Sequence, residues 1–254
     1  SHWAGIKHKK GRQDKLRAKL FSKLSREITV AAKLGAKDPE SNPRLRTAIQ
    51  QARQSNMPKD NIERAINKSE VNLSQNFQNL RYEGYGPFNV ALIIEALTDN
   101  KNRSASSIRT ILSKNGGRLG ENGSTTHLFF NCGIIQVNRE AISDEQALET
   151  AILFGAKDCK SLNNFHEIIT EKEDFYKIKT ELEKKIDNFA YSAIEWRAIN
   201  FLKLDKNQSE KMIGVLNTLE DLDDVQKVFH NLFIDDDLLQ QLRYVGIFMA
   251  NSTI

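Results

Sequence analysis

The chain has 254 residues, with 37 Lys and Arg against 33 Asp and Glu and a formal net charge of +4. Apolar periodicity recurs from residue 16 to 249, so a disordered chain is excluded. No apolar run approaches the ~20 residues that span a bilayer, no apolar stretch follows the basic N-terminal residues as a signal peptide requires, and two isolated cysteines, Cys132 and Cys159, make neither a disulfide scaffold nor a zinc site.

The first element carries most of the charge asymmetry. Residues 3–26 hold nine cations (Lys7, Lys9, Lys10, Arg12, Lys15, Arg17, Lys19, Lys23 and Arg26) against one acid, Asp14. Up to Gly11 the stretch lacks apolar periodicity and reads as an arm. From Arg12 it becomes helical, with Leu16, Leu20, Leu24 and Ile28 at i+4 spacing, and Gly35 stops it after Leu34. Cations this dense at a chain end suit a phosphate backbone, because each neutralised phosphate releases counterions. The competing readings are a solvated face and an anionic membrane surface. The second lacks a strongly apolar face or a lipidation signal nearby. Trp3 is open between stacking on a base and capping the helical core, and His8 reads as solvated.

A turn follows, with Asn42 as N-cap and Pro43 at the first position of a second helix that buries Leu45, Ala48, Ile49 and Ala52. Arg44 and Arg46 at its start extend the basic patch, where helix N-terminal amides add phosphate donors. A third helix from Pro58 turns Ile62, Ala65 and Ile66 inward, completing a three-helix bundle. With 17 cations and 7 acids, residues 1–70 carry +10; with 20 cations and 26 acids, residues 71–254 carry −6. The sign change marks a domain boundary, and the polar stretch 69–79 reads as the linker.

Beyond it the period becomes that of strands. Residues 80–86 and 90–97 form a hairpin around Gly86-Pro87, a helix covers 104–114 and ends at Asn115-Gly116-Gly117, a glycine-rich loop runs to Ser124, and a strand spans 127–132. Residues 133–203 then read β-α-β-β-α-β, the ferredoxin-like order, with Ser143 capping the first helix. A helix at 208–219 and a strand at 225–233 complete the earlier set. The fold class expected is therefore α+β in three domains: a basic arm and helical bundle (1–78), a discontinuous ferredoxin-like α/β domain (79–132 plus 204–254), and a second ferredoxin-like domain (133–203) inserted into it. Residues 235–254 read as a C-terminal extension, either packed or frayed.

Sites of catalysis are not apparent. There is no phosphate-binding G-x-x-x-x-G-K-[ST] loop, no G-x-G-x-x-G after a strand and no G-x-S-x-G elbow. The five histidines (2, 8, 127, 166, 230) are scattered without metal spacing; His127, His166 and His230 read as structural strand residues. Asp221, Asp223 and Asp224 read as an exposed helix-to-strand cap rather than metal ligands. No cofactor, no metal and no enzymatic activity are expected. The glycines of the loop (Gly116, Gly117, Gly120, Gly123) with Asn115, and the turn Asp99, Asn100, Lys101, Asn102 and Arg103, read as surfaces for a protein or RNA partner.

Several strings resemble one family: W-A-G-I-K-H-K-K at 3–10, N-P-R-L-R at 42–46, N-M-P-K-D-N-I-E-R-A-I at 56–66, Y-E-G-Y-G-P at 82–87, E-A-L-T-D-N-K-N-R at 95–103, N-G-G-R-L-G-E-N-G-S at 115–124 and L-E-D-L-D-D-V at 219–225. The chain resembles the YebC/PmpR family over about residues 2–235, departing from it at 193–204 and in the C-terminal extension. The family includes the mitochondrial translational activator of cytochrome oxidase subunit one. The resemblance implies three domains, one nested in another. It also implies a regulator of gene expression, either a DNA-binding transcriptional regulator or a ribosome-associated translation factor. Nothing resembles a helix that reads base edges, so weak sequence specificity is expected. That favours ribosomal RNA, recognised by shape and backbone, over duplex DNA. A monomer in the bacterial cytoplasm is the expected form; the first residue, Ser1, leaves a mitochondrial matrix form open.

Overall fold

The computed structural model describes residues 2–71, 76–187 and 189–239 and, among these, the side chains from Gln13 onward except those of Asp236 and Leu239. Helix α1 spans His2–Leu34, α2 Pro43–Gln54 and α3 Lys59–Val71. The expected arm is therefore helical from His2. Its lack of an apolar stripe signals the absence of a packing surface, which is a different matter from the absence of a helix. The bundle core is Leu24, Ile28 and Ala31 of α1 against Leu45, Ala48, Ile49 and Ala52 of α2 and Ile62 and Ala65 of α3. Asn42 caps α2 as its sequence position requires: its Oδ1 accepts from the Leu45 amide at 3.1 Å, and its Nδ2 donates to the carbonyls of Ala31 and Ala36 at 2.9 and 2.7 Å. One side chain thus starts α2 and ties down the end of α1. The expected linker is shorter than 69–79, since α3 runs to Val71 and the first strand begins at Gln78.

Two four-stranded antiparallel sheets follow. Strands β1 (Gln78–Tyr85) and β2 (Ala91–Thr98) form the hairpin, with Tyr85 opposite Ala91. Helix α4 (Lys101–Lys114) and the short β3 (Arg118–Leu119) come next. The second unit contains β4 (Phe129–Asn138), α5 (Asp144–Leu153), β5 (Asp158–Ser161), β6 (Phe165–Glu171), α6 (Phe175–Glu183) and β7 (Phe189–Ala198). The chain then supplies α7 (Lys206–Glu220), β8 (Val225–His230) and a short α8 (Asp236–Leu239). The strand orders are β3-β1-β2-β8 and β5-β6-β4-β7. Strand β8 therefore joins the first sheet beside β2, after the whole second sheet has been completed.

The strand expected at 127–132 and the first strand expected of the 133–203 unit are a single strand, β4, wholly in the second sheet. The boundary between the units falls at 125–128 rather than at 132. Gly133 does not break the strand. A Cβ there would lie 2.2 Å from Thr170 Oγ1 and 2.6 Å from a Phe175 ring carbon, so glycine is what lets α6 close onto the sheet. The last strand of this unit ends at Ala198, short of the unit's expected end at 203, and Leu202 bridges to Leu232.

Both faces of the first sheet are covered, which is why β2 reads as a continuous apolar run. Leu92 and Ile94 pack with Ile108 and Leu112 of α4 and Met212 and Leu216 of α7. Ala91, Ile93 and Phe229 pack on Phe129 and Ala198 of the second sheet. In that second unit, Ile135, Val137 and Ile168 meet Ala151 of α5 and Phe175, Ile178 and Leu182 of α6. The caps on α5 and α7 are reciprocal boxes, Ser143 with Gln146 and Asp205 with Gln208. The expected C-terminal extension lies outside the described residues beyond Leu239.

Candidate nucleic-acid interface

The cations of α1 divide into two groups. Lys19, Lys23 and Arg26 are anchors within the molecule. Lys19 Nζ donates to the Asp221 carbonyl at 2.7 Å, and buried Lys23 donates to the carbonyl of Glu220. Both carbonyls belong to the C-terminal end of α7, where the last carbonyls of a helix have no intrahelical donor and the helix dipole is negative. Arg26 Nη1 reaches the Leu97 carbonyl at 2.8 Å, the Asp223 carbonyl at 3.0 Å and Asp224 Oδ1 at 3.2 Å. Arg44 forms a two-point pair with Glu27 at 2.8 and 3.1 Å. Arg46 donates to Glu183 at 2.7 Å and to Thr180 Oγ1 at 2.9 Å, joining the bundle to α6. All five read from sequence as phosphate contacts; Lys19, Lys23, Arg26 and Arg46 instead hold the three units together, and Arg44 braces α2 against α1 within the bundle. Charge counting treats all cations in a run alike; their partners lie up to 202 positions away in sequence.

The other group is directed outward where it is described: Lys15 and Arg17 are exposed, as are Gln13, Asp14 and Ala18. The Arg17 guanidinium rests over the Phe21 ring at 5.2 Å. The side chains of Lys7, Lys9, Lys10 and Arg12, like those of Trp3 and His8, lie outside the described residues, but all are carried on the same continuous helix. At about 1.5 Å per residue, the rise from His2 to Arg17 is about 22 Å of strongly basic helix leading into the anchored half.

Asp224 corrects the reading of the acidic string as an exposed cap. It is buried and accepts from Arg103 Nε at 3.0 Å, Arg103 Nη2 at 2.8 Å, Ser104 Oγ at 2.7 Å and Arg26. Burial opposes its charge, but the Arg103, Ser104 and Arg26 donors outweigh burial and hold its carboxyl below the usual range. The turn at 99–103 is also more ordered than a loop. Asn100 is the N-cap of α4, accepting from the Arg103 amide at 3.0 Å, and Lys101, Asn102 and Arg103 form the first helical turn. All of Asp99–Arg103 remain exposed at the surface.

The glycine loop is organised around a buried carboxylate. Glu83 accepts from the amides of Gly123, Thr125 and Thr126 at 3.0, 2.9 and 3.0 Å. Burial disfavours its charge, yet these amides and Arg81 prevail and keep it ionised below the ordinary glutamate range. Gly116 and Gly123 have positive φ, 82° and 91°, and sit exposed at the turns. Gly117 and Gly120 lie against the β1 backbone, and Asn115 caps α4 by donating to the Ile111 carbonyl at 2.8 Å.

The remaining titratable groups have structural surroundings. His166 is buried between Ser161 Oγ at 2.8 Å and the Ile142 carbonyl at 2.9 Å. His230 is buried, and its Nδ1 accepts from the Leu232 amide at 3.2 Å. His127 lies in an exposed 3₁₀ turn rather than a strand. Burial pushes the Cys132 thiol up to about 12. Among the described residues no His, Cys, Asp or Glu group is spaced to hold a metal, and no helix is long and apolar enough to cross a membrane.

Comparison with known proteins agrees with this architecture. Residues 1–72 match the pattern described as the TACO1/YebC protein N-terminal domain, and residues 77–232 match that of the TACO1/YebC second and third domain. A protein of Pelagibacter ubique named a probable transcriptional regulatory protein is 56% identical over 232 residues, covering 91% of this chain and 96% of that one. The crystal structure of the conserved hypothetical protein Aq1575 from Aquifex aeolicus superposes with a TM-score of 0.75 at 46% identity, covering 93% of this chain and 98% of that chain. With both halves of the pattern matched in order, the chain belongs to the TACO1/YebC family.

Proposed function

We propose that the protein regulates gene expression by binding nucleic acid, without catalysis, and that its target is ribosomal RNA. The observation that carries the reading is the division of α1. Its anchored half fixes the helix to the first α/β unit, while its basic N-terminal half carries Lys7, Lys9, Lys10, Arg12, Lys15 and Arg17 along one rod. A rigid basic helix contacts phosphates by charge and shape, and shape dominates the recognition of structured RNA. The exposed turns at Asp99–Arg103 and Gly116–Gly123 supply further surface for the same particle. A bacterial cytoplasmic location accords with this reading.

The name of the Pelagibacter relative favours a second reading, transcriptional regulation through duplex DNA. Sucrose-gradient sedimentation separates the two. The full chain is expected to travel with ribosomes at low salt and to leave them as salt rises. A chain that stays at the top of the gradient, yet binds one duplex about 10³-fold more tightly than random sequence, would replace the first reading by the second.

A further inference from the structure

A groove of about 560 Å³ lies where the bundle and both sheets meet, and all three units line it. That volume falls within the range of small-ligand sites. Its chemistry is uneven in an informative way. Thr47 of α2 is 6% exposed, lines the groove, and its Oγ1 has no hydrogen-bond partner. Asn131 of β4, the cross-strand partner of Trp196, also lines it, and its buried Oδ1 is likewise unpartnered. Buried polar atoms are nearly always paired, so two lining one groove indicate what a ligand would supply.

Part of the lining is aromatic. The Trp196 indole and the Tyr176 and Phe175 rings line the groove. Trp196 is held in place by its Nε1 donating to Glu95 Oε1 at 3.2 Å and by the Arg81 guanidinium over its ring at 5.2 Å. Lys172 also lines the groove and is exposed. An aliphatic ligand would leave Thr47 and Asn131 unpaired. A bare anion would meet Glu95 and the rings. A metal ion would find the Glu27 carboxylate already engaged by Arg44. A flat heteroaromatic ring with donors on its edge and a phosphate at one end pairs Thr47 and Asn131, offers a face to the rings and sets its charge toward Lys172.

We propose that this groove binds one unpaired nucleotide, its base against Trp196, its edge on Asn131 and Thr47, and its phosphate toward Lys172. The proposal rests on the nucleic-acid reading for the source of the nucleotide, an unpaired position in the bound RNA. Base stacking on aromatic side chains and hydrogen bonding to an exposed edge are the usual means of reading single-stranded RNA. A nucleotide seated there touches the bundle and the second sheet, so its binding stabilises their present arrangement.

The test uses the full chain carrying Trp3→Phe, so that Trp196 is the sole tryptophan. AMP, GMP, CMP and UMP are titrated separately, following Trp196 fluorescence and the indole N–H resonance. At least one is expected to give a saturable change. Asn131→Ala should weaken it by about fivefold or more, the loss of one hydrogen bond. Thr47→Val should weaken it in the same direction, and Lys172→Gln should weaken the nucleotide while sparing the corresponding nucleoside. No saturable change with any nucleotide, an equal response to inorganic phosphate alone, or affinity indifferent to both Asn131→Ala and Thr47→Val in folded protein would overturn the proposal. Nucleotide binding without ribosome association would sink the ribosomal reading and leave the groove; ribosome association without nucleotide binding would do the reverse.

Discussion

The Lys23 ammonium sits at the C-terminal end of α7 and donates to the backbone carbonyl of Glu220, 197 positions away in sequence. The contact takes a cation from the densest basic run of the chain and turns it into a fastener between the helical bundle and the first sheet unit. A Lys23→Met replacement leaves that buried carbonyl without its donor and removes a cation from the negative end of α7. It should cost about 1–3 kcal/mol of stability, read from urea unfolding. RNA affinity of the folded variant should be unchanged. A variant of wild-type stability with weakened RNA binding would show that Lys23 is a phosphate contact after all.

Glu220 itself gives a pH signature. Burial pushes its carboxyl up to about 7, with the Lys23 charge pulling the other way. The folded state therefore holds a proton that the unfolded chain, with an ordinary glutamate near 4.5, has released. This contribution is complete below the unfolded value and is lost as pH rises through about 7. Glu220→Gln cannot ionise. Its melting temperature, relative to wild type, should rise between pH 4.5 and pH 8. A constant difference across that range would contradict the assignment.

Asp224 behaves in the opposite sense. Its carboxyl is held below the ordinary aspartate range, so its contribution is present above that range and is lost as pH falls through its lowered folded value. Asp224→Asn keeps the size of the side chain but weakens the charge-assisted bonds from Arg26, Arg103 and Ser104. A loss of about 2 kcal/mol at neutral pH is expected, shrinking in strong acid where the wild-type carboxyl is itself protonated. Chemical unfolding at the two pH values checks both parts.

Local signals in the sequence carried the elements well. Asn42-Pro43, Ser143 and the hairpin at Gly86-Pro87 each act through the nearest few residues, and each lies where its chemistry requires. Contacts distant in sequence were not legible. Nothing near Lys19, Lys23 or Arg26 distinguishes them from Lys15 or Arg17; the difference is made by the end of α7 and by Asp224. The division into two strands at 132/133 failed for a related reason, since the role of Gly133 depends on Phe175 pressing against the strand from another element. The groove residues Thr47, Asn131 and Trp196 were likewise invisible as a set, each being an ordinary residue of its own helix or strand.

The central claim is that the exposed basic half of α1, and not its anchored half, binds RNA. Its most direct test is the salt dependence of affinity for a structured ribosomal RNA fragment, measured for wild type and for a Lys15→Gln, Arg17→Gln double variant. Each phosphate contact contributes about 0.7–0.9 to the slope of log Kobs against log salt. The account predicts a slope shallower by about 1.5 in the variant, with unfolding stability unchanged. An unchanged slope at unchanged stability would contradict it.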